Sequence, residues 1–281
     1  MILSTTLPRA WKAFTENKRY LIFAMLFEFV LFFSIFYATA TIFVPTMEAY
    51  NEVQTIMNQE LEKLPETELY QLENVIQKNE EFLSKYKIFF TYIIFFFIII
   101  YALTTIFKLP LWYFSHKSIL KKMPFGTTAM KFVLLCLFWF IVFCASFLIY
   151  SMATGSTETV IPLISSPAAT LTMYIIFIAI WYFSQISFAL IPAQQTFKKT
   201  FVYGIKHAKT ILPAFIVNAI ITFIVFSLPF NWTSIAPKIG IEPGTLTFVL
   251  LLLAIIIFTT APALAFARIH MITATWQKST S

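Results

Sequence analysis

Residues 21–33, LIFAMLFEFVLFF, decide the fold class of this chain and raise the main question about its function. Twelve of the thirteen positions are apolar, and the exception, Glu28, is a carboxylate set among phenylalanines. An apolar run that extends to about 20 residues is long enough to cross a bilayer as a helix. The stretch therefore predicts a membrane span that carries an ionisable side chain.

The composition of the whole chain also indicates a membrane protein. Its 281 residues are 59% apolar and only 12% charged, whereas soluble domains carry roughly 25% charged residues. The expected fold class is an all-α integral membrane protein, because no segment has the alternating pattern of a transmembrane β-strand. A single membrane domain, 1–281, is expected to contain six transmembrane helices arranged as three hairpins. The predicted spans are 21–44, 88–107, 132–152, 171–193, 211–229 and 246–267.

The positions of lysine and arginine predict the orientation of the chain. Fifteen of the 20 basic residues fall in 1–20, 108–131, 194–210 and a C-terminal tail that holds Arg268 and Lys278. Short loops rich in these residues stay in the cytoplasm. We therefore expect a multi-pass protein of the cytoplasmic membrane with both termini inside. The net charge of +7 indicates contact with anionic membrane lipids, and no nucleic-acid partner is expected.

A cleaved signal peptide is an alternative for the first apolar run. Ala38, Thr39 and Ala40 resemble a signal-peptidase site that follows a basic N-terminal region. However, the basic region is twenty residues long and the apolar run already has spanning length. Both features differ from an ordinary signal peptide, so 21–44 is interpreted as a retained span.

The largest polar segment, 47–87, is predicted to be an extracytoplasmic helical hairpin. Its apolar residues recur at spacings of three, four and seven, and Pro65 suits the start of the second helix. The segment carries nine glutamates. It can serve as a solvated cap that joins two helices, as a docking surface for a protein partner, or as a vestibule that attracts cations.

Each hairpin is preceded on the cytoplasmic side by a basic amphipathic segment, namely 1–20, 108–131 and 194–210. Helices with an apolar face and flanking lysines lie in the headgroup plane of a bilayer. We therefore predict three interfacial helices on the inner leaflet. The lysines expected to contact anionic lipid are Lys12, Lys117, Lys121, Lys122, Lys198, Lys199 and Lys206.

The chain thus repeats a unit of one interfacial helix, one span up and one span down three times. Setting 10–28 against 200–218 aligns the starts of two spans and pairs Glu28 with Asn218. In this layout the chain resembles the uncharacterised prokaryotic polytopic membrane proteins of the domain-of-unknown-function type, such as the DUF4013 group. The resemblance implies six spans that alternate with basic amphipathic segments. It transfers no site residue, and the acidic outer hairpin departs from the layout.

Three strongly polar side chains are predicted to lie at one depth in the inner half of the bilayer. Glu28 falls about 12 Å into the apolar layer, and Gln185 and Asn218 lie at similar distances from the cytoplasmic ends of their spans. Polar groups in hydrocarbon are costly, so we expect the three to contact one another inside the bundle. The sequence leaves the ionisation of Glu28 open. The absence of a basic residue from every predicted span favours its protonated form.

This intramembrane polar cluster has three interpretations. Its members can be hydrogen-bonding glue between helices, a site sensitive to protons or cations, or a contact for a lipid headgroup or a hydrophilic ligand. Replacement of Glu28 by glutamine separates glue from an ion-sensitive site.

Motifs for catalysis and for metal binding are missing from the sequence. There is no aspartate, no G-x-S-x-G, no H-E-x-x-H and no glycine-rich phosphate loop. His116, His207 and His270 occur one per predicted cytoplasmic segment, without the short spacing of a metal site. We expect no enzyme activity, no catalytic residue, no metal and no cofactor. Asn231 fits the N-x-T glycosylation pattern in a predicted outer loop.

Two functions remain in competition. The first is a non-enzymatic membrane protein that organises lipid or a protein partner through its amphipathic segments and its acidic hairpin. The second is a permease or channel with a polar site at the level of Glu28. The lack of glycine in the predicted spans disfavours transport. A cavity that reaches Glu28 would favour transport, and a sealed bundle would favour a scaffold.

Overall fold

The computed structural model describes residues 3–63, 78–120, 123–154, 166–242 and 245–276, and within them the chain is helical and has no strand. Lys121, Lys122, Lys278 and the predicted helix start at Pro65 lie outside the described residues. The helices are α1 (Leu3–Glu16), α2 (Lys18–Ala38), α3 (Val44–Lys63), α4 (Glu80–Lys117), α5 (Phe125–Thr154), α6 (Ser166–Ala189), α7 (Thr196–Lys206), α8 (Ala208–Ile235), α9 (Leu246–Ile255) and α10 (Ala261–Trp276).

Within the described ranges, six helical segments are long and apolar enough to cross a membrane. A helix satisfies its backbone hydrogen bonds within the segment, which hydrocarbon requires. The protein is therefore an all-α, multi-pass membrane protein. Two π-helical segments, Thr39–Phe43 and Ile256–Thr260, join α2 to α3 and α9 to α10 without a break.

One end of the bundle, which we call the basic end, holds α1, α7 and the C-terminus of α10. Asn17, between α1 and α2, donates from Nδ2 to the carbonyl oxygen of Ser118 at 3.0 Å. Lys131, near the start of α5, donates from Nζ to the carbonyl oxygen of Ala193 at 2.9 Å. These contacts fasten successive connections to one another, so the spans run alternately up and down from a common end.

The first hairpin extends beyond the other spans at the opposite end of the bundle, where α3 packs along the first half of α4. Glu52 and Lys85 form an ion pair at 2.8 Å between the two helices. The side chains that α3 buries are Thr46, Ala49 and Val53. Thr46 and Ala49 are small, which suits close packing of the two helices. A protein partner at the glutamates of this hairpin stays a prediction.

The second predicted amphipathic segment, 108–131, does not form a helix of its own. Its first half continues α4 as far as Lys117, and α5 begins at Phe125. Trp112 is only 3% exposed and His116 is fully buried, so the face expected to meet lipid packs inside the bundle. These side chains are buried because this part of α4 lies against the C-terminal part of α6, which is distant in the sequence.

The third predicted amphipathic segment contains a separate short helix, α7, which packs its small residues against α6. Thr200 and Gly204 are buried, and Tyr182 of α6 donates from its hydroxyl to the carbonyl oxygen of Gly204 at 2.8 Å. A Cβ at Gly204 would lie 2.6 Å from the ring of Phe183, so glycine permits this close packing. Helix α7 also exposes part of four apolar residues, Phe197, Phe201, Val202 and Ile205, although Phe197 contacts Phe138 of α5 and Phe201 contacts Phe183 of α6.

Among the described helices, α10 buries the largest share of its residues, and it packs against α1, α2, α4, α6 and α8. The sequence predicts that the sixth span ends at residue 267 and that a cytoplasmic tail follows. This boundary differs in the structure, because α10 continues without a break to Trp276 and buries Met271 and Ile272. Apolar packing against the neighbouring helices explains the continuation. On the side of α1, Phe266 makes edge contacts with the rings of Trp11 and Phe14.

The C-terminus of α6 is held by side chains from two other helices. The carbonyl oxygen of Ala189 accepts hydrogen bonds from His116 Nε2 at 3.0 Å and from Trp276 Nε1 at 2.8 Å. The last carbonyls of a helix lack partners within the helix, so these donors satisfy a group that would otherwise be costly to bury. They also fix the position of α6, which forms one wall of the cavity described below.

Candidate functional site

Glu28 forms a buried ion pair with Arg268. Its Oε2 lies 3.0 Å from Nη1 of the guanidinium, and the two residues are only 5% and 8% exposed. Arg268 Nε also donates to Oγ of Ser115 at 3.4 Å, so α10 connects α2 to α4 here. The sequence placed Arg268 in a cytoplasmic tail. The premise for a protonated Glu28, that no basic residue lies within the spans, is therefore wrong.

Asn218 takes part in a second polar chain that is also centred on α10. Its Nδ2 donates to the carbonyl oxygen of Ala267 at 2.9 Å, and its Oδ1 lies 2.9 Å from Nδ1 of His270. An amide oxygen can only accept, so the imidazole donates from Nδ1. Nε2 of His270 is then free to accept from the hydroxyl of Thr6, which lies 3.2 Å away. This chain connects α8, α10 and α1.

A cavity of about 700 Å³ brings the three predicted polar residues together. Glu28, Gln185 and Asn218 all line it, but no hydrogen bond joins them to one another in the described part of the chain. Glu28 and Asn218 bond instead to α10, and the Gln185 side chain has no hydrogen-bond partner among the described residues. The sequence thus predicts a shared location, whereas the partner side chains, Arg268 and His270, come from a helix segment that it assigned to the tail.

The cavity lies between α2 on one side and α6 and α8 on the other. Helix α2 packs extensively against α4 and α10, and the cavity occupies the space that remains between α2 and the spans α6 and α8. Along α2 the lining extends from Glu28 to Thr39, which is about 16 Å at 1.5 Å per residue. The volume is in the range of roughly 300–1,000 Å³ that is typical of small-molecule sites.

Lys108 also lines the cavity, although the sequence placed it in a cytoplasmic segment. The ring contacts between α2 and α4 pair Phe23 with Phe114 and Phe43 with Phe96, as expected for antiparallel neighbours. This register puts Lys108 within one helical turn of the level of Glu28. The half-buried lysine therefore lies at nearly the same depth as Glu28, on the wall of the cavity. Lys108 and Arg268 are the two site residues that sequence reasoning missed, because it assigned each to the polar side of a span boundary.

The lysines predicted to contact lipid lie at the basic end of the bundle, as far as they are described. Lys12 forms an exposed ion pair with Glu16 at 3.8 Å, and the ammonium of Lys117 stands 5.3 Å from the ring centre of Tyr113. The positions on α7 are Lys198 and Lys206, both exposed, and Lys199, which is half-buried. Lys121 and Lys122 lie outside the described residues.

The three histidines occupy separate positions. His116 lies between the carbonyl oxygens of Trp112 and Ala189, His270 lies between Thr6 and Asn218, and His207 packs its ring on Tyr203. Within the described ranges, no group of three or more His, Cys or Glu side chains is arranged to hold a metal ion.

Comparisons with known proteins found no relative. No known family model matches the chain, and no curated protein or solved structure is significantly similar to it. The likeness in layout to the DUF4013 group therefore stays a prediction. Functional inference for this chain depends on the geometry of the cavity and its surroundings.

The ion pair predicts an asymmetric response to mutation. Replacing Glu28 by alanine leaves the Arg268 guanidinium buried without a counter-charge, which should lower the free energy of unfolding by about 3–5 kcal/mol. Replacing both residues by apolar ones, Glu28→Leu with Arg268→Met, should recover most of that loss, because no buried charge then remains. Unfolding by SDS titration in mixed micelles measures both effects.

The matched control for this prediction is Glu16→Ala, which removes the same carboxylate from an exposed ion pair at the basic end. Exposed pairs contribute little to stability, so we expect no measurable change. Equal destabilisation by Glu28→Ala and Glu16→Ala would contradict a buried, mutually dependent pair.

Proposed function

We propose that this chain is a non-enzymatic membrane protein that binds an amphipathic molecule of the lipid class in the cavity beside α2. The observation that carries the proposal is the division of the cavity into a polar end and an apolar wall. Proteins that organise lipid need a site that accepts a polar headgroup and a hydrocarbon chain together.

The lining residues support this amphipathic character. The polar end is formed by Glu28, Lys108, Gln185, Asn218 and Arg268. Beyond it, the surface along α2 is apolar over Leu31, Phe32, Ile35 and Phe36, and it ends at Thr39. Hydrocarbon against such a wall is removed from contact with polar groups, and each buried CH₂ contributes about 0.8 kcal/mol.

Access from the bilayer is supported by the exposure of one lining residue. Phe36 lines the cavity and is also 72% exposed on the perimeter of the bundle, within the apolar length of α2. A lipid chain can therefore pass between the cavity and the surrounding hydrocarbon without crossing water. At the basic end, Ala24, Leu111 and Ala265 are buried together below the ion pair. Entry from the bilayer, past Phe36, is therefore a simpler route for a ligand than entry from the basic end.

Filling the cavity should abolish this binding. Thr222→Trp places a large ring at a lining position of α8, whereas Ile220→Trp places the same ring two residues away, on an exposed position outside the lining. We expect the first variant to lose most of the lipid that remains after detergent purification and the second to retain it. Mass spectrometry of extracted lipid measures the amount per protein. Equal retention by both variants would contradict the proposal.

We also propose that the basic end faces the cytoplasm and that α1 and α7 lie at the inner headgroup layer. The exposed apolar residues of α7, beside Lys198 and Lys206, support this placement because they need a nonpolar surrounding next to anionic charge. The excess of lysine and arginine at the same end supports the orientation.

Cysteine labelling tests this orientation. In a background where Cys136 and Cys144 are replaced by alanine, Asn51→Cys lies on exposed α3 and Lys206→Cys lies on exposed α7. A membrane-impermeant maleimide added to intact cells should label only the first, and permeabilised cells should allow both reactions. Labelling of Lys206→Cys alone in intact cells would reverse every assignment of inside and outside.

A permease or channel is the second candidate, and the cavity that reaches Glu28 is the observation that favours it. Transport would require the ion pair between α2 and α10 to open toward the basic end. In liposomes, Glu28→Gln should then abolish a proton or cation flux that the exposed variant Glu16→Gln retains. A wild-type protein without flux, under conditions where lipid is bound, excludes this candidate.

A further inference from the structure

The polar end of the cavity carries an excess of positive charge. Among the described residues that line it, the charged side chains are Glu28, Lys108 and Arg268. Glu28 balances the charge of Arg268 through their ion pair. Lys108 forms no ion pair and no hydrogen bond with any residue that the structure describes. The lining therefore has one cationic group more than it has carboxylates.

Arg268 also retains a donor that the protein does not use. Nη1 donates to Glu28 and Nε donates to Ser115. Nη2 is buried and has no partner within the described part of the chain. A buried donor without an acceptor is costly, and the cost is larger for a charged group. The Nη2 atom is closed to the cavity in this structure, so a ligand oxygen reaches it only if the guanidinium turns toward the lining.

The other polar lining groups are neutral and do not compensate Lys108. The amide of Asn218 is already hydrogen-bonded to α10, and Gln185 is uncharged. An ammonium in apolar surroundings needs an anion or water, since neither hydrocarbon nor an aromatic wall stabilises it as well. The chemistry of this end of the cavity is thus that of an anion site.

We propose that Lys108 and Arg268 bind the anionic group, a phosphate or a carboxylate, of a lipid whose chain lies along the apolar wall of α2. This inference rests on the proposed lipid-binding function and adds the charge of the ligand to it. Glu28 holds the guanidinium in place and limits the net charge of the site to one. The ligand anion completes the charge balance and accepts a hydrogen bond from the ammonium of Lys108.

The test compares two lipids that differ in headgroup charge and share their acyl chains. Full-length protein is purified in detergent, stripped of lipid, and titrated with phosphatidylglycerol or phosphatidylcholine, with bound lipid measured by native mass spectrometry. A hydrogen bond to a charged group corresponds to a factor of about ten or more in affinity. We expect the wild-type protein to bind phosphatidylglycerol more tightly by at least about that factor.

Lys108→Gln should remove this preference and leave the affinity for phosphatidylcholine unchanged. Lys108→Arg keeps the charge and should keep the preference, which covers the case in which the glutamine variant fails to fold. The matched control is Lys238→Gln, which removes an exposed lysine at the other end of the bundle and should have no effect.

The outcomes separate this inference from the function on which it rests. Tight binding of both lipids without a charge preference overturns the anion site and leaves the lipid-binding function intact. Absence of tight binding to either lipid overturns the function itself. Inorganic phosphate that binds as tightly as phosphatidylglycerol identifies a free anion as the ligand and overturns the lipid assignment.

Discussion

The contact between Glu28 and Arg268 is the interaction on which the arrangement of the spans depends. Either charge alone would be costly in a surrounding of low dielectric constant, whereas the pair at 3.0 Å is tolerated because each group replaces part of the other's hydration. The two residues lie 240 positions apart in the sequence. Their contact therefore requires the last helix to pack beside the first span, and it fixes the level at which the two meet.

Helix α10 makes polar contacts with several other helices in addition to this ion pair. Arg268 connects it to α2 and α4, and His270, two residues further along, connects it to α1 and α8. Consecutive positions on a helix point to different sides, so polar residues close in sequence can bond to several neighbours. Between spans the hydrophobic effect provides little attraction, since lipid is as apolar as the side chains. These polar contacts therefore specify which helices surround α10.

The cavity is a consequence of the same arrangement. Helix α2 is fastened to α4 and α10, and α6 is fastened at its C-terminus by His116 and Trp276. The side of α2 that faces α6 and α8 is left with a space of about 700 Å³, lined by polar groups at one end. The ion pair thus joins α2 to α10 below the cavity and also forms part of its polar lining. Glu28 and Arg268 thus hold helices together and also line the candidate site.

The sequence by itself determined the solvent of this protein, its helical class, its six spans and the anomaly at Glu28. These properties depend on the local content of apolar side chains, because each spanning segment must by itself be long and apolar enough to lie in hydrocarbon. Only the tertiary structure decided that Arg268 is buried in the bundle and that Lys108 lines the cavity. Hydropathy placed Lys108 and Arg268 beyond the ends of spans, because it assigns a charged residue the cost of meeting hydrocarbon alone. That cost disappears when a distant helix supplies the opposite charge, and no local pattern records which helix will do so.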